Sequence, residues 1–274
     1  MKKQPVLWYF VLTFAFTYGI SFLTVSKLFP AGLGGLFILG PIVAVLIVSA
    51  ALGGWTEIKQ LLKKLLIWRV GFQWYLFVFL FPVVARLLAT GIDLLLGGQA
   101  PQFLSSKTVN YVGVSPLLLL VALFAINFVV PSLIEEIGWR GFALPRLQGR
   151  FGALWASLLL GLLWGLWHFH PLNFHSYQPV MFWFVLSTIC ASVIYTWLYN
   201  HTGGSVLIAA LFHASNNVSE FVVPVAPLNT GIGVTTAYIA LRVIYLLAAI
   251  VIAAVLLRTN YKKTEGNSLA IFVK

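Results

Sequence analysis

The chain has 274 residues, of which 61% are hydrophobic and only 8% charged, and its formal net charge is +11. A soluble globular domain carries roughly 25% charged residues, so a water-soluble fold is excluded. The seventeen basic residues sit mostly in short connections between apolar runs, which gives them a topological role and argues against nucleic acid as a partner.

Eight apolar runs, each of about the ~20 residues that cross a bilayer, follow one another along the chain. They are Val6 to Leu28, Gly34 to Leu52, Trp74 to Leu96, Leu117 to Leu147, Gly152 to Phe169, Val180 to Tyr199, Gly204 to Val222 and Thr236 to Leu257. The pattern predicts an all-α, polytopic transmembrane bundle that fills residues 1–274 as a single integral membrane domain. Lys2 and Lys3 precede the first run as in a signal peptide, but the run is too long for an h-region and lacks an A-x-A-like site. It is therefore read as a retained span. Placing the N-terminus in the cytoplasm puts thirteen basic residues inside and only Lys27 and Lys107 outside, with Arg86 and Arg242 within spans. The positive-inside rule then predicts a multi-pass cell-membrane protein with both termini cytoplasmic. Cys190 is the only cysteine, so neither an intramolecular disulfide nor a cysteine-rich metal cluster can form.

Between the second and third runs, Ile58, Leu61, Leu62, Leu65 and Leu66 repeat on one helical face while Lys59, Lys63 and Lys64 point elsewhere. With Trp55 and Trp68 at its ends, this predicts a basic amphipathic helix over 56–69 lying against membrane lipids. Gly161 with Gly165, and Ala210 with Ala214, form small-xxx-small pairs that permit close helix approach.

A charge at the bilayer centre costs roughly 2.5–3.5 kcal/mol on insertion scales, so intramembrane ionisable groups need a partner, a water-filled cavity or a function. Here they cluster. Glu135, Glu136 and Arg140 lie in the fourth run, His168 in the fifth, and His213 with Asn217 in the seventh. Glu136 and Arg140 are four apart and pair on one face. Glu135 is rotated about 100° from Glu136 and is the freer carboxylate. A hairpin turning near Gly149, Phe151 and Gly152 brings Glu135 and His168 to similar depth, and Trp164, one turn before His168, walls the site. His213 and Asn217 share a face and can both donate toward one point, as a developing oxyanion needs. Pro131 cannot donate to the carbonyl of Asn127 and is expected to kink the fourth run beside the acidic pair. Arg86 with Asp93, and Arg242 with Glu220, read as structural pairs, and His170, His175 and His201 read as loop residues.

The set Glu135-Glu136-x-x-x-Arg140, Trp164-x-x-x-His168 and His213-x-x-x-Asn217 resembles the motifs of the CPBP (Abi) family of intramembrane proteases, which contains type II CAAX prenyl proteases and bacteriocin-processing enzymes. The resemblance covers roughly residues 55–220, with the protease core motifs within about 115–222. Trp164 stands where the family more often has Phe. The resemblance implies an intramembrane endopeptidase that uses glutamate-activated water on membrane-associated, CAAX-like or leader-peptide substrates. Glu135 would then be the general base, with His168 holding the water and helping protonate the leaving amine. His213 and Asn217 would stabilise the oxyanion, and Glu136 with Arg140 would fix the helix ends and receive a substrate carboxylate. No cofactor is favoured. The alternative is a Zn²⁺ peptidase with Glu135, His168 and His213 as ligands, although no HExxH pair exists and Asn217 is a poor zinc ligand. A transporter would carry inverted repeats and paired broken helices, which this sequence lacks. A catalytically silent immunity or scaffold protein would have no need of the full motif set.

Overall fold

A computed structural model describes residues 3–98, 115–225 and 235–271, and among them every regular element is helical. Lys107, the termini and their predicted orientation lie outside the described residues.

Helix α1 (Pro5–Val25) begins with proline in its first turn, where the missing N–H costs nothing. It is apolar almost all round, and its buried positions are Tyr9, Thr13, Thr17 and Ser21, a stripe at four-residue spacing. The polar edge faces the protein and the apolar surface faces outward, the inverse of a water-soluble helix. A 3₁₀ run, Ala31–Leu39, leads into α2 (Gly40–Gly53), which packs back against α1.

The amphipathic stretch forms α3 (Trp55–Lys63) and a 3₁₀ turn, Lys64–Leu66, ending three residues before the predicted boundary. Leu61 is buried, whereas Trp55 and Leu66 are exposed. Two polar contacts tie this element to the bundle. Glu57 pairs with Arg146 at 3.0 Å, and Lys64 Nζ donates to the carbonyl of Gly141 at 2.6 Å. Burial pushes the Lys64 ammonium down to about 8, and the neighbouring charge of Arg146 adds to the effect.

After α4 (Phe72–Leu95), α5 (Pro116–Asn127) starts at Ser115, whose hydroxyl accepts from the N–H of Leu118. The predicted long fourth span is not one helix. Val130 leaves helical geometry (φ −136°, ψ 110°), and Ser132 Oγ donates to the Asn127 carbonyl that Pro131 cannot reach as a donor. A short α turn, Ile134–Glu136, then sits between two wide π-type segments, Phe128–Leu133 and Ile137–Ala143. Helix α6 (Leu144–Trp167) contains Gly152 at φ 75° and ψ 169°, a conformation that excludes ordinary side chains. The chain doubles back there and sets Trp164 against Glu135.

Helices α7 (Met181–His201), α8 (Val206–Val222) and α9 (Thr236–Ile271) complete the bundle. By length and composition six helical stretches among the described residues can cross a membrane: Pro5–Val25, Ala31–Gly53, Phe72–Leu95, Pro116–Trp167, Met181–His201 and Thr236–Leu257. Pro116–Trp167 has 52 residues and reverses at Gly152, so it holds two of the predicted passes, and the 17-residue Val206–Val222 is a shorter apolar helix. The protein is an all-α, multi-pass helical bundle. The small-residue pair of α6 lies against α7. A Cβ on Gly161 would lie 2.6 Å from Ile189 Cα and 2.9 Å from the Thr188 carbonyl, so α6 and α7 meet backbone to backbone.

Candidate active site

The break at Val130 and the reversal at Gly152 together deliver the acidic pair into the middle of the bundle. Glu135 and Glu136 are consecutive on a helical turn and so point to different sides, and the structure gives them different partners.

Glu136 turns away from open space into a fully buried hub. Its Oε1 accepts from Arg140 Nη1 at 2.9 Å and from His213 Nδ1 at 2.9 Å. The Arg140 guanidinium is wedged between aromatic faces, 4.5 Å from the Trp164 ring centroid and 4.1 Å from that of Tyr195. These planes suit a guanidinium, which stacks where an ammonium could not. Arg140 is 0% exposed and does not line the cavity, which places it away from the surface where a substrate carboxylate would arrive.

Glu135 faces a cavity of about 380 Å³ lined also by Pro131, Trp164, His168, His213 and Asn217. Its Oε2 accepts from Trp164 Nε1 at 2.8 Å. Trp164 is thus more than a wall, since it supplies the hydrogen bond that holds the carboxylate. Phenylalanine at this position would leave that bond unmade. His168 places Nδ1 at 2.8 Å from the carbonyl of Trp164, one turn back, which directs Nε2 away from its own helix backbone. His213 uses Nδ1 on Glu136, a contact that sequence spacing did not reveal because it joins residues 77 positions apart. Asn217, one turn further along α8, has Nδ2 at 3.5 Å from Asn127 Oδ1. The structure therefore brings Glu135, His168, His213 and Asn217 to one cavity and sets Glu136 and Arg140 behind it.

The zinc alternative calls on Glu135, His168 and His213 as ligands. Nδ1 of His213, Nδ1 of His168 and Oε2 of Glu135 are each engaged by protein groups. Among the described residues, no three His, Cys, Asp or Glu side chains are grouped to hold a metal ion.

Several secondary expectations are corrected. Arg86 pairs with Glu220 at 3.6 Å and donates through Nε to Ser219 Oγ at 2.9 Å, while Asp93 accepts from the N–H of Ala237. Arg242 does not take Glu220; it lies over the Tyr238 ring at 4.0 Å. His170 is not a solvated loop residue. It is fully buried, hydrogen-bonded to Ser21 Oγ at 2.8 Å and packed on Phe37, and burial lowers its imidazole to about 4. His201 forms the last turn of α7, and His175 lies in a short helical turn, Phe174–Tyr177.

Residues 117–219, which contain all the motif residues, match the model of a family described as type II CAAX prenyl endopeptidase Rce1-like. The chain is also similar to CAAX prenyl protease 2 of Methanococcus maripaludis, at 31% identity over 241 residues, covering 80% of this chain and 84% of that protein. The resemblance read from the motifs is borne out, and the chain belongs to the Rce1-like type II CAAX prenyl endopeptidase family of proteases.

Proposed function

We propose that the protein is an intramembrane endopeptidase in which Glu135 activates a water molecule for attack on a peptide carbonyl. The observation that carries this reading is the division of labour between adjacent carboxylates. Glu136 is consumed by Arg140 and His213, while Glu135 faces the cavity that His168, His213 and Asn217 also line.

In the proposed step Glu135 takes a proton from water as the oxygen bonds to the carbonyl carbon, with His168 Nε2 orienting that water. With Nδ1 donating to Glu136, His213 in its doubly protonated form offers Nε2–H to the oxyanion, and Asn217 Nδ2 offers a second donor. The C–N bond then breaks and the proton held by Glu135 passes to the leaving amine, with His168 assisting. The substrates are membrane-associated peptides, of the CAAX type by analogy with the Methanococcus maripaludis relative. We further propose a location in the cell membrane with both termini cytoplasmic, supported by the asymmetry of basic residues.

The test is cleavage of an internally quenched CAAX-type peptide by purified protein. Glu135→Gln is expected to abolish cleavage while the folded protein remains abundant, and metal analysis of active wild type is expected to show no stoichiometric zinc. Full activity in Glu135→Gln would remove that residue from the reaction. Loss of activity on chelation, restored by Zn²⁺, would replace the metal-free mechanism.

A further inference from the structure

The cavity holds a second polar cluster that the proposed chemistry leaves unused. Arg86 on α4 and Arg242 on α9 both line it, together with Asn216 and Glu220 on α8 and Tyr245 on α9. Arg86 is only 6% exposed, and although Nε and Nη2 reach Ser219 and Glu220, its Nη1 is buried without a hydrogen-bond partner. Arg242 has its guanidinium over Tyr238, its Nε is also buried without a partner, and no carboxylate among the described residues pairs with it. Tyr245 is already spent on Asn216, to which its hydroxyl donates at 2.6 Å. Two guanidinium groups therefore line one cavity, and of its two carboxylates Glu135 is held by Trp164 while the part-exposed Glu220 pairs with Arg86 and not with Arg242.

An uncompensated positive charge within a bundle of this kind is costly, and its unmet N–H groups add to the cost. A planar anion of carboxylate shape in the cavity would offset that charge and suits the guanidinium fork. For a peptide substrate, the negative group present whatever the side chains is the free carboxyl end of the chain. We propose that Arg86 and Arg242 form a subsite for the terminal carboxylate of the substrate, placing the end of the peptide at α4 and α9 while the scissile carbonyl sits at Glu135 and His213. The cavity between the two polar clusters then sets the distance from the terminal carboxylate to the scissile bond. This inference rests on the endopeptidase reading above.

The test compares one farnesylated, internally quenched peptide made as the free acid and as the C-terminal amide. Loss of a charge-assisted contact corresponds to about a 10- to 100-fold preference for the acid in kcat/KM. In Arg242→Gln the ratio of acid to amide is expected to fall toward one. That ratio is read within each preparation, so it is independent of how much protein folds, and Arg86→Lys supplies a milder change at the more buried position. In parallel, anisotropy measures binding of both peptides to Glu135→Gln protein, where the acid is expected to bind tighter by a similar factor. Equal cleavage of acid and amide by wild type overturns the subsite and leaves the peptidase reading intact. If neither peptide is cut, the peptidase reading fails, and equal binding of the two to Glu135→Gln would overturn the subsite as well.

Discussion

Glu136→Gln keeps the size of the side chain and removes its charge, which isolates the contribution of the buried hub. In the wild type Oε1 takes two donors at 2.9 Å, while Glu136 Oε2, Arg140 Nε and Arg140 Nη2 have no partner. The pair is thus under-satisfied already, and its net worth against an apolar replacement is small. Removing one member is a different matter, because an uncompensated buried charge costs about 3–5 kcal/mol. The Trp164 and Tyr195 faces at 4.5 and 4.1 Å remain in the variant and continue to hold the guanidinium. Desolvated contacts of that type contribute up to about 2 kcal/mol each, which sets the expected loss near the lower end of the range, about 3 kcal/mol. Against a total stability of about 5–15 kcal/mol this is a large fraction. Glu135→Gln retains an acceptor for Trp164 Nε1 and is expected to stay within about 1 kcal/mol of wild type. The double variant Glu136→Leu with Arg140→Met is expected to recover most of the loss, since apolar replacement of a whole buried pair is often neutral or better. Denaturant unfolding of the detergent-solubilised protein, followed by tryptophan fluorescence, measures all of these. The reasoning fails if Glu136→Gln is as stable as Glu135→Gln, or if the double variant loses the sum of its two single changes.

Four further predictions rest on other contacts. Trp164→Phe keeps the ring over Arg140 but deletes the donor 2.8 Å from Glu135, and single-turnover cleavage is expected to slow by about 10- to 100-fold, the equivalent of one hydrogen bond to a charged group; an unchanged rate would deny that bond a positioning role. Gly161→Ala is expected to destabilise by about 1–3 kcal/mol through contact with the α7 backbone. Gly149→Ala, where a Cβ meets nothing within 4 Å, is its neutral control in the same melt. Lys64 binds its proton less tightly folded, at about 8, than its ordinary value of 10.5, so the folded state carries a penalty below pH 8 that is relieved as pH rises to 10.5. Wild type should therefore gain stability relative to Lys64→Met across that window, and parallel pH profiles would contradict this. Finally, Lys27→Cys and Lys59→Cys should be labelled by an impermeant reagent from opposite sides of the membrane, with the native Cys190 buried and silent; labelling from one side would refute the proposed orientation.

What the sequence made legible was local. The i, i+4 spacing foretold the Glu136 contact with Arg140, and the glycine at 152 marked the reversal, because both depend only on helix geometry and on what a single residue can adopt. The apolar runs located the passes for the same reason. The misreadings are non-local. Arg86 reached Glu220 and Ser219 instead of Asp93, and His213 reached Glu136, because partners across helices depend on rotation and crossing that a one-dimensional pattern does not carry. His170 lies near a helix end by its position in the chain, yet Ser21 and Phe37 from other elements enclose it. The Trp164 indole bond to Glu135 joins two faces already expected to meet, and only its polarity was missed.

The short loop of contacts within Glu136 and Arg140 also bears on biogenesis. Both charges belong to a single turn of one segment, so they neutralise each other before any later helix has been synthesised. The hairpin that carries the acid can therefore leave the translocation machinery with its ionic cost already reduced, without waiting for α8. His213 arrives with α8, docking on a carboxylate that is already held, and α9 then completes the cavity wall with Arg242 and Tyr245. A nascent chain halted before α8 would hold a closed ion pair and an incomplete cavity, a membrane-compatible state.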